Sequence, residues 1–336
     1  MTGRAGDASA PPIEDELGRT VLVLQHPPRT HRLWTQAKRW LGVALALAGA
    51  GLLAAHLGSV DWASTLAALR GRADATLWGA AALTLASYAV YSSFDLLARR
   101  HFRQGLGRLR VLEAAFVSHA FALNLGPIGV GFRFRAYMHS GMPARTVAAV
   151  WVLNLMTNWL GFMGVAGALF AAGGVALPGG WGYAGGALRL FGLALLAAAA
   201  LYVAACAAAH GRALAWRGRR FALPSWRLAL LQLALSALNW SLLAGVWFLL
   251  FDAQVPVADV LAAVVVNALV LALVDVPGGL GITETVFVAL LGWRLPAHEL
   301  MAGLVAWRGL YLLAPLALAA LAFAQIEWRA HSSGGR

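Results

Sequence analysis

Val276-Pro277-Gly278-Gly279-Leu280-Gly281-Ile282-Thr283-Glu284 sets a proline, three glycines and a carboxylate between two apolar runs, Leu261 to Val274 and Val286 to Leu291. Crossing the hydrocarbon core of a bilayer takes about 20 apolar residues. Each run therefore reads as too short to span, and the pair reads as two half-helices meeting inside a membrane. Lipid cannot satisfy the backbone groups that such a break frees, so it survives only where protein or a polar cavity covers it. The stretch reads as a site.

Working outward, the whole chain has the composition of a membrane protein. Of its 336 residues, 60% are hydrophobic and 12% are charged, against about 25% charged in soluble domains. Full spans are expected at Leu41 to Leu57, Ala75 to Ala98, Thr146 to Ala172, Leu188 to Ala209, Leu228 to Phe251 and Leu300 to Gln325. Between the second and third, residues 111 to 141 are apolar but cut by Asn124, Gly126, Pro127, Gly129 and Gly131. Between the fifth and sixth lies the opening stretch. The expected fold is an all-α polytopic membrane protein with six full spans and two re-entrant broken-helix pairs. The order span, span, broken pair, span occurs twice, starting from opposite faces, so the halves read as inverted repeats. Gly/Pro-interrupted segments at matching places in two such halves point to a midplane site.

Residues 1–39 are polar and contain Pro11, Pro12, Pro27 and Pro28, which reads as a disordered tail. The transmembrane domain is expected over 40–326, and 327–336 as a second tail. The first apolar run starts only at Leu41 and is long enough to span, which argues against a cleaved signal peptide. Arginines and one lysine in the short links set the orientation. With the N-terminus in the cytoplasm, nineteen of the 26 basic residues face that side and four face the other. Both termini are therefore expected in the cytoplasm. The net charge of +12 follows this pattern and does not indicate nucleic acid. Cys206 sits in an apolar run and reads as filler.

Three polar constellations lie in apolar surroundings. In the first broken pair, Gly131-Phe-Arg133-Phe-Arg135-Ala-Tyr137 places two guanidiniums just after the break. On a helix they stand about 200° apart, so one is free for an anion while the other pairs with a carboxylate or reaches the headgroups. Arg offers a planar fork suited to phosphate; snorkelling of both is the structural alternative. In the second pair, a half-helix starting near Ile282 aims free N–H groups at the cavity, a ready anion site. Glu284, in its first turn, reads either as a cap or as an intramembrane ion-pair partner or proton carrier. Asp275 shares those options. Arg308, in Trp307-Arg308-Gly309-Leu310-Tyr311, should face inward and pair with Glu284 or Asp275. Asn267 parallels Asn124 ahead of the second break. Asn154 and Asn158 share a helix face, where helix–helix hydrogen bonding explains them. Asp95, Glu113, His119 and Asn239 carry no assignment from sequence. There is no His-Glu-x-x-His, cysteine cluster, Gly-x-Ser-x-Gly or sugar-nucleotide acid pair, so no cofactor, metal or catalytic group is expected.

On these residues the chain resembles the flippase-like membrane domain family that includes the transmembrane region of lysylphosphatidylglycerol synthases. The matching features are Asn124 with Gly131-Phe-Arg133-Phe-Arg135-Ala-Tyr137 and Gly141, then Pro277-Gly-Gly-Leu-Gly-Ile-Thr-Glu284, then Arg308-Gly-Leu-Tyr311 with Pro315. The resemblance implies a bacterial inner-membrane protein that moves, or helps to move, a polar-headed lipid between leaflets. Substrate contacts are expected at Asn124, Gly131, Arg133, Arg135, Tyr137, Asn267, Pro277, Gly278, Gly279, Gly281, Thr283, Glu284, Arg308 and Tyr311. The bifunctional synthases carry a soluble aminoacyl-transferase domain after this region, whereas here the chain ends at Arg336, so lysine transfer is not expected. Expected partners are a membrane phospholipid or lipid-linked substrate, with a lipid-modifying enzyme and a second copy of the chain as alternatives. A membrane enzyme or accessory subunit in glycolipid, hopanoid or aminoacyl-phospholipid synthesis is the competing function. A fluorescent-protein fusion at Arg336 should fluoresce and an alkaline phosphatase fusion there should be inactive; the reverse pair of results removes the cytoplasmic C-terminus.

Overall fold

A computed structural model describes residues 62–173, 175, 184–209, 213–216, 219–274 and 276–334. The expected tail at 1–39 and the expected span Leu41 to Leu57 lie outside the described residues, as does Asp275. Among the described residues eleven helices follow one another: α1 (Trp62–Arg70), α2 (Asp74–His101), α3 (Arg108–Leu125), α4 (Pro127–His139), α5 (Ala144–Ala172), α6 (Ala184–Ala209), α7 (Trp226–Leu250), α8 (Val257–Val274), α9 (Ile282–Leu291), α10 (Ala297–Trp307) and α11 (Ala314–Gly334). A 3-10 turn at Pro277–Gly279 precedes α9, and a π-helical segment, Arg308–Leu313, joins α10 to α11 without interrupting the rod. Between α6 and α7, strands β1 (Ala213–Trp216) and β2 (Arg219–Ala222) form a small antiparallel hairpin, Ala213 opposite Ala222.

Among the described residues, six helical stretches are long and apolar enough to cross a bilayer: Asp74–His101, Ala144–Ala172, Gly185–Ala209, Trp226–Leu250, Val257–Val274 and Ala297–Arg329. The protein is an all-helical integral membrane protein apart from that hairpin. Five of the six coincide with spans expected from sequence. The sixth is a correction: the run ending at Val274 was expected to be too short to cross. Its helix starts at Val257, directly after Pro256, and its 18 residues reach about 27 Å at 1.5 Å each.

Close packing between helices follows from small residues. A Cβ on Gly161 of α5 would lie 2.1 Å from the Ser236 hydroxyl and 2.5 Å from its backbone carbon on α7. A Cβ on Gly192 of α6 would meet the backbone of Gly167 and Ala171 on α5 at 2.8 and 2.5 Å. Membrane helices gain contact in this way, because lipid gives them no hydrophobic drive to associate. Buried polar pairs add direction: Gln232 on α7 donates to Thr157 on α5 at 2.6 Å and accepts from Tyr202 of α6 at 3.1 Å. Leu190, Leu193 and Leu201 on α6 and Leu318 and Leu321 on α11 remain exposed, as lipid-facing side chains do.

At one end of the bundle, buried Arg72 donates to the Leu250 carbonyl and to Asp252 at 3.0 Å. It thereby ties the α1–α2 link to the C-terminus of α7. Arg294 pairs with Asp259 at 2.5 Å, tying the α9–α10 link to the first turn of α8.

Gly161 and Gly131 make opposite predictions. Gly161→Leu forces α5 and α7 apart and should lower stability by about 1–3 kcal/mol. A Cβ on Gly131 meets nothing within 4 Å, so Gly131→Ala should leave stability unchanged or raise it by up to about 1 kcal/mol through helix propensity. Thermal unfolding in detergent measures both, and equal melting of Gly161→Leu and wild type contradicts the packing described.

Candidate functional site where two helix breaks meet

Both interruptions read from the sequence are present as backbone breaks. Gly126 ends α3 at φ 57° and ψ −133°, a region essentially closed to side-chain-bearing residues, and Pro127 opens α4. The chain folds back sharply there: Phe121 and Phe132 stack at 3.9 Å, and a Cβ on Gly129 would lie 2.3 Å from the Phe121 carbonyl oxygen. At the second break Gly278, Gly279 and Gly281 all have positive φ, which Pro277 precedes and Ile282 ends by starting α9. Gly279 faces Leu271 of α8, so this segment also turns back on the helix before it.

The breaks approach each other. The Asn124 carbonyl lies 3.8 Å from where a Gly278 Cβ would stand. Asn124 itself donates to the Leu312 carbonyl at 3.2 Å. That carbonyl and its neighbour are available because the π-segment misaligns the local ladder. Pro315 has no N–H for Tyr311, four residues back, and its ring crowds that carbonyl. Tyr88 on α2 supplies the missing donor at 2.9 Å. Side chains from α2 and α3 thus complete the irregular turn in the last span.

Each broken segment carries one member of an arginine–carboxylate pair. Glu284 caps its own helix by accepting the Gly281 N–H at 2.9 Å and pairs with Arg308 through its other oxygen, Nε at 2.7 Å. Arg308 also donates to the Gly278 carbonyl at 3.2 Å. The capping and ion-pair readings of Glu284 are therefore both realised, and the pairing of Arg308 with Glu284 holds. In the first segment, Arg133 and Asp95 of α2 form a fully buried pair at 2.7 and 3.0 Å. The Tyr137 hydroxyl at 2.5 Å and the Asn154 amide at 2.7 Å supply the remaining donors to Asp95. Arg135 faces the opposite way, exposed, and holds Glu327 of α11 with two bonds of 2.5 and 2.8 Å.

A cavity of about 320 Å³ opens between the two breaks. Gly126, Gly278 and Gly279 form part of its wall; Tyr91, His119, Asn158, Asn239, Asn267 and Tyr311 supply its polar groups, and Trp240, Trp247 and Trp307 its aromatic faces. Of the residues expected to contact substrate, Asn267, Gly278, Gly279 and Tyr311 line this space. Asn124, Pro277, Gly281, Thr283, Glu284 and Arg308 belong to the break behind that wall. Arg133, Arg135, Tyr137 and Gly131 do not line it: Arg133 and Tyr137 are consumed in the Asp95 network, Arg135 faces Glu327, and Gly131 faces open space. The sequence left Asp95, His119 and Asn239 unassigned. Tyr91 and Ser87 carry no signal in the sequence, because a hydroxyl on an apolar helix has no pattern until its neighbours are known. Tyr91 stacks on His119 at 3.5 Å, and Ser87 bridges Asn239 and the Tyr311 hydroxyl at 2.8 Å each.

Two opposed breaks, each with its own ion pair, accompany a sequence that matches the family described as lysylphosphatidylglycerol synthase TM region over residues 39–319. The chain belongs to that family. It is 34% identical over 305 residues to inner membrane protein YbhN of Escherichia coli (strain K12), covering 90% of this chain and 96% of that one. It is also 27% identical over 141 residues to the uncharacterized protein slr0712 of Synechocystis sp. (strain ATCC 27184 / PCC 6803 / Kazusa), covering 41% and 44% respectively. The match to this family's transmembrane region takes in both breaks, the Glu284–Arg308 pair and the Asp95–Arg133 pair. Among the described residues no group of three metal-ligating side chains comes together.

Removing one member of the deeper pair tests its structural role. Asp95→Ala leaves Arg133 buried and uncompensated, which should cost about 3–5 kcal/mol. Replacing both with leucine should recover most of that loss, since an apolar pair of similar volume avoids the charge. Thermal unfolding of the two variants decides it; a double variant no better than the single excludes a closed ion pair.

Proposed function

We propose that this protein is a lipid translocase, moving a polar-headed phospholipid or lipid-linked intermediate between the leaflets of the bacterial inner membrane. The observation that carries the reading is a cavity where two helix breaks meet inside the bundle, its largely apolar wall carrying several amide and hydroxyl groups. A lipid headgroup must cross the hydrocarbon, where polar groups are costly to bury, and a chamber between broken helices is where membrane transporters hold the polar group they carry. In this reading the two breaks, one from each half of the chain, meet at the chamber, and both termini lie in the cytoplasm. The acyl chains stay in the bilayer. The headgroup phosphate, an anion, is met by the half-helix start at Gly279 to Thr283 and by Arg308. Glu284 neutralises Arg308 while the site is empty and releases it when phosphate arrives.

The pair is suited to exchange because Arg308 is one-fifth exposed, unlike Arg133 in its sealed network. Arg133 on this view holds the first break in shape and leaves the anion to Arg308. The assay is flipping of fluorescently labelled phospholipid in liposomes containing the purified protein. Wild type should accelerate flipping over empty liposomes, and Arg308→Ala and Glu284→Gln should each reduce that rate about tenfold or more, the equivalent of 1.4 kcal/mol. Size-exclusion profiles matching wild type show that the variants are folded. Flipping equal in wild-type and empty liposomes removes the function, and flipping unchanged in both folded variants removes these residues' roles.

A further inference from the structure

A second cavity, of about 820 Å³, lies away from the chamber, at the end of the bundle where α2 stops and α7 begins. Arg100, His101 and Arg103 line it from the end of α2, and Arg227 lines it from the first turn of α7. Arg103 stands in the left-handed conformation at φ 50°, a position that ordinarily falls to Gly or Asn. No carboxylate is among the described lining residues. Elsewhere Arg72, Arg133, Arg135, Arg294, Arg308 and Arg329 each pair with a carboxylate. Among the described residues none pairs with Arg100, Arg103 or Arg227.

Like charges gathered around one cleft repel each other and concentrate anions from solution. α2 brings C-terminal carbonyls to this basin and α7 brings N-terminal N–H groups, so the helix dipoles offset and the side chains set its sign. The bias of basic residues toward one membrane face explains their number. It does not explain why three guanidiniums from two helices surround a single cavity. Each guanidinium presents a planar fork of donors that matches phosphate oxygens two at a time. Arg227 lies over the Trp226 ring at 5.4 Å, which steadies its fork. Further along α7, Leu228 and Leu231 give the basin an apolar side, Leu231 being 41% exposed.

We infer that this basin is a binding site for a phosphate group, separate from the helix breaks and the chamber. A phosphate at the membrane surface and a phosphate in solution share the chemistry that Arg100, Arg103 and Arg227 recognise; only the former brings an apolar tail for Leu228 and Leu231. A group held here bridges the end of α2 and the start of α7. Those two helices pack antiparallel, Gly79 against Leu249 and Gly245 against Leu83, so the bridge fastens a contact that runs the length of the bundle. The inference does not rest on the translocase reading.

Thermal unfolding of the whole purified protein, in an uncharged detergent at constant ionic strength, provides the test, because a ligand of the folded state raises the melting temperature with its concentration. Inorganic phosphate, dihexanoyl phosphatidic acid and polyglutamate are titrated separately. Wild type should be stabilised by phosphatidic acid alone, which assigns a lipid phosphate, or by both phosphate compounds alike, which assigns a soluble one. In the triple variant Arg100→Gln, Arg103→Asn, Arg227→Gln the half-saturating concentration should rise about tenfold or more. Without ligand this variant should melt no lower than wild type, since Asn suits the backbone at 103 and mutual repulsion is removed. Arg100→Gln alone repeats the comparison in a minimally altered protein and should shift the titration in the same direction. Equal half-saturation in wild type and both variants overturns the inference, as does the absence of any shift in wild type. A response lost in Arg308→Ala and kept in the triple variant belongs to the helix break and also overturns it. Stabilisation by polyglutamate alone overturns it too, and makes the basin a surface for an acidic protein.

Discussion

A helix that stops inside an apolar bundle leaves N–H and carbonyl groups that no surrounding hydrocarbon will accept. The arrangement of this protein follows from closing two such ends against each other. Glu284 takes the Gly281 N–H, Arg308 takes the Gly278 carbonyl, and the two side chains then take each other. Asn124 and Tyr88 close the carbonyls that the π-segment and Pro315 expose in the last span. Glu284 caps its own helix, while Arg308, Asn124 and Tyr88 reach the second break and the last span from other elements, which ties these parts together.

The two ion pairs differ in what surrounds them. Asp95 receives four hydrogen bonds from Arg133, Tyr137 and Asn154 and is sealed from solvent. Such a fully satisfied network rigidifies a core but leaves no valence for a ligand. Glu284 and Arg308 are less enclosed and include backbone groups of the break itself. Rearranging them reshapes Gly278 to Gly281, the wall of the cavity.

Inside the chamber the polar groups are amides, hydroxyls, an imidazole and an indole, without charge among the described lining residues. They sit beside stacked rings that supply apolar contact. Membership of the lysylphosphatidylglycerol synthase TM family fits this architecture.

The sequence by itself determined that the chain is membrane-embedded, where five of the long spans lie, and where both breaks fall. Those properties are local: hydropathy is summed over neighbours, and Pro and Gly act on their own backbone. It also determined that Arg308 must find a carboxylate, since an unpaired charge at that depth is not tolerated. Helix geometry likewise sent Arg133 and Arg135 in opposite directions. Only the tertiary structure decided which partners they met. Asp95 is 38 residues from Arg133 and Glu327 is 192 from Arg135, and no periodicity links such positions. Nor did the sequence reveal that Arg133 would be locked away from the cavity while Tyr91, His119 and Asn239 lined it. A lone polar residue on an apolar helix looks the same whether it faces a neighbouring helix or an empty space, and only the packing of several helices creates the space.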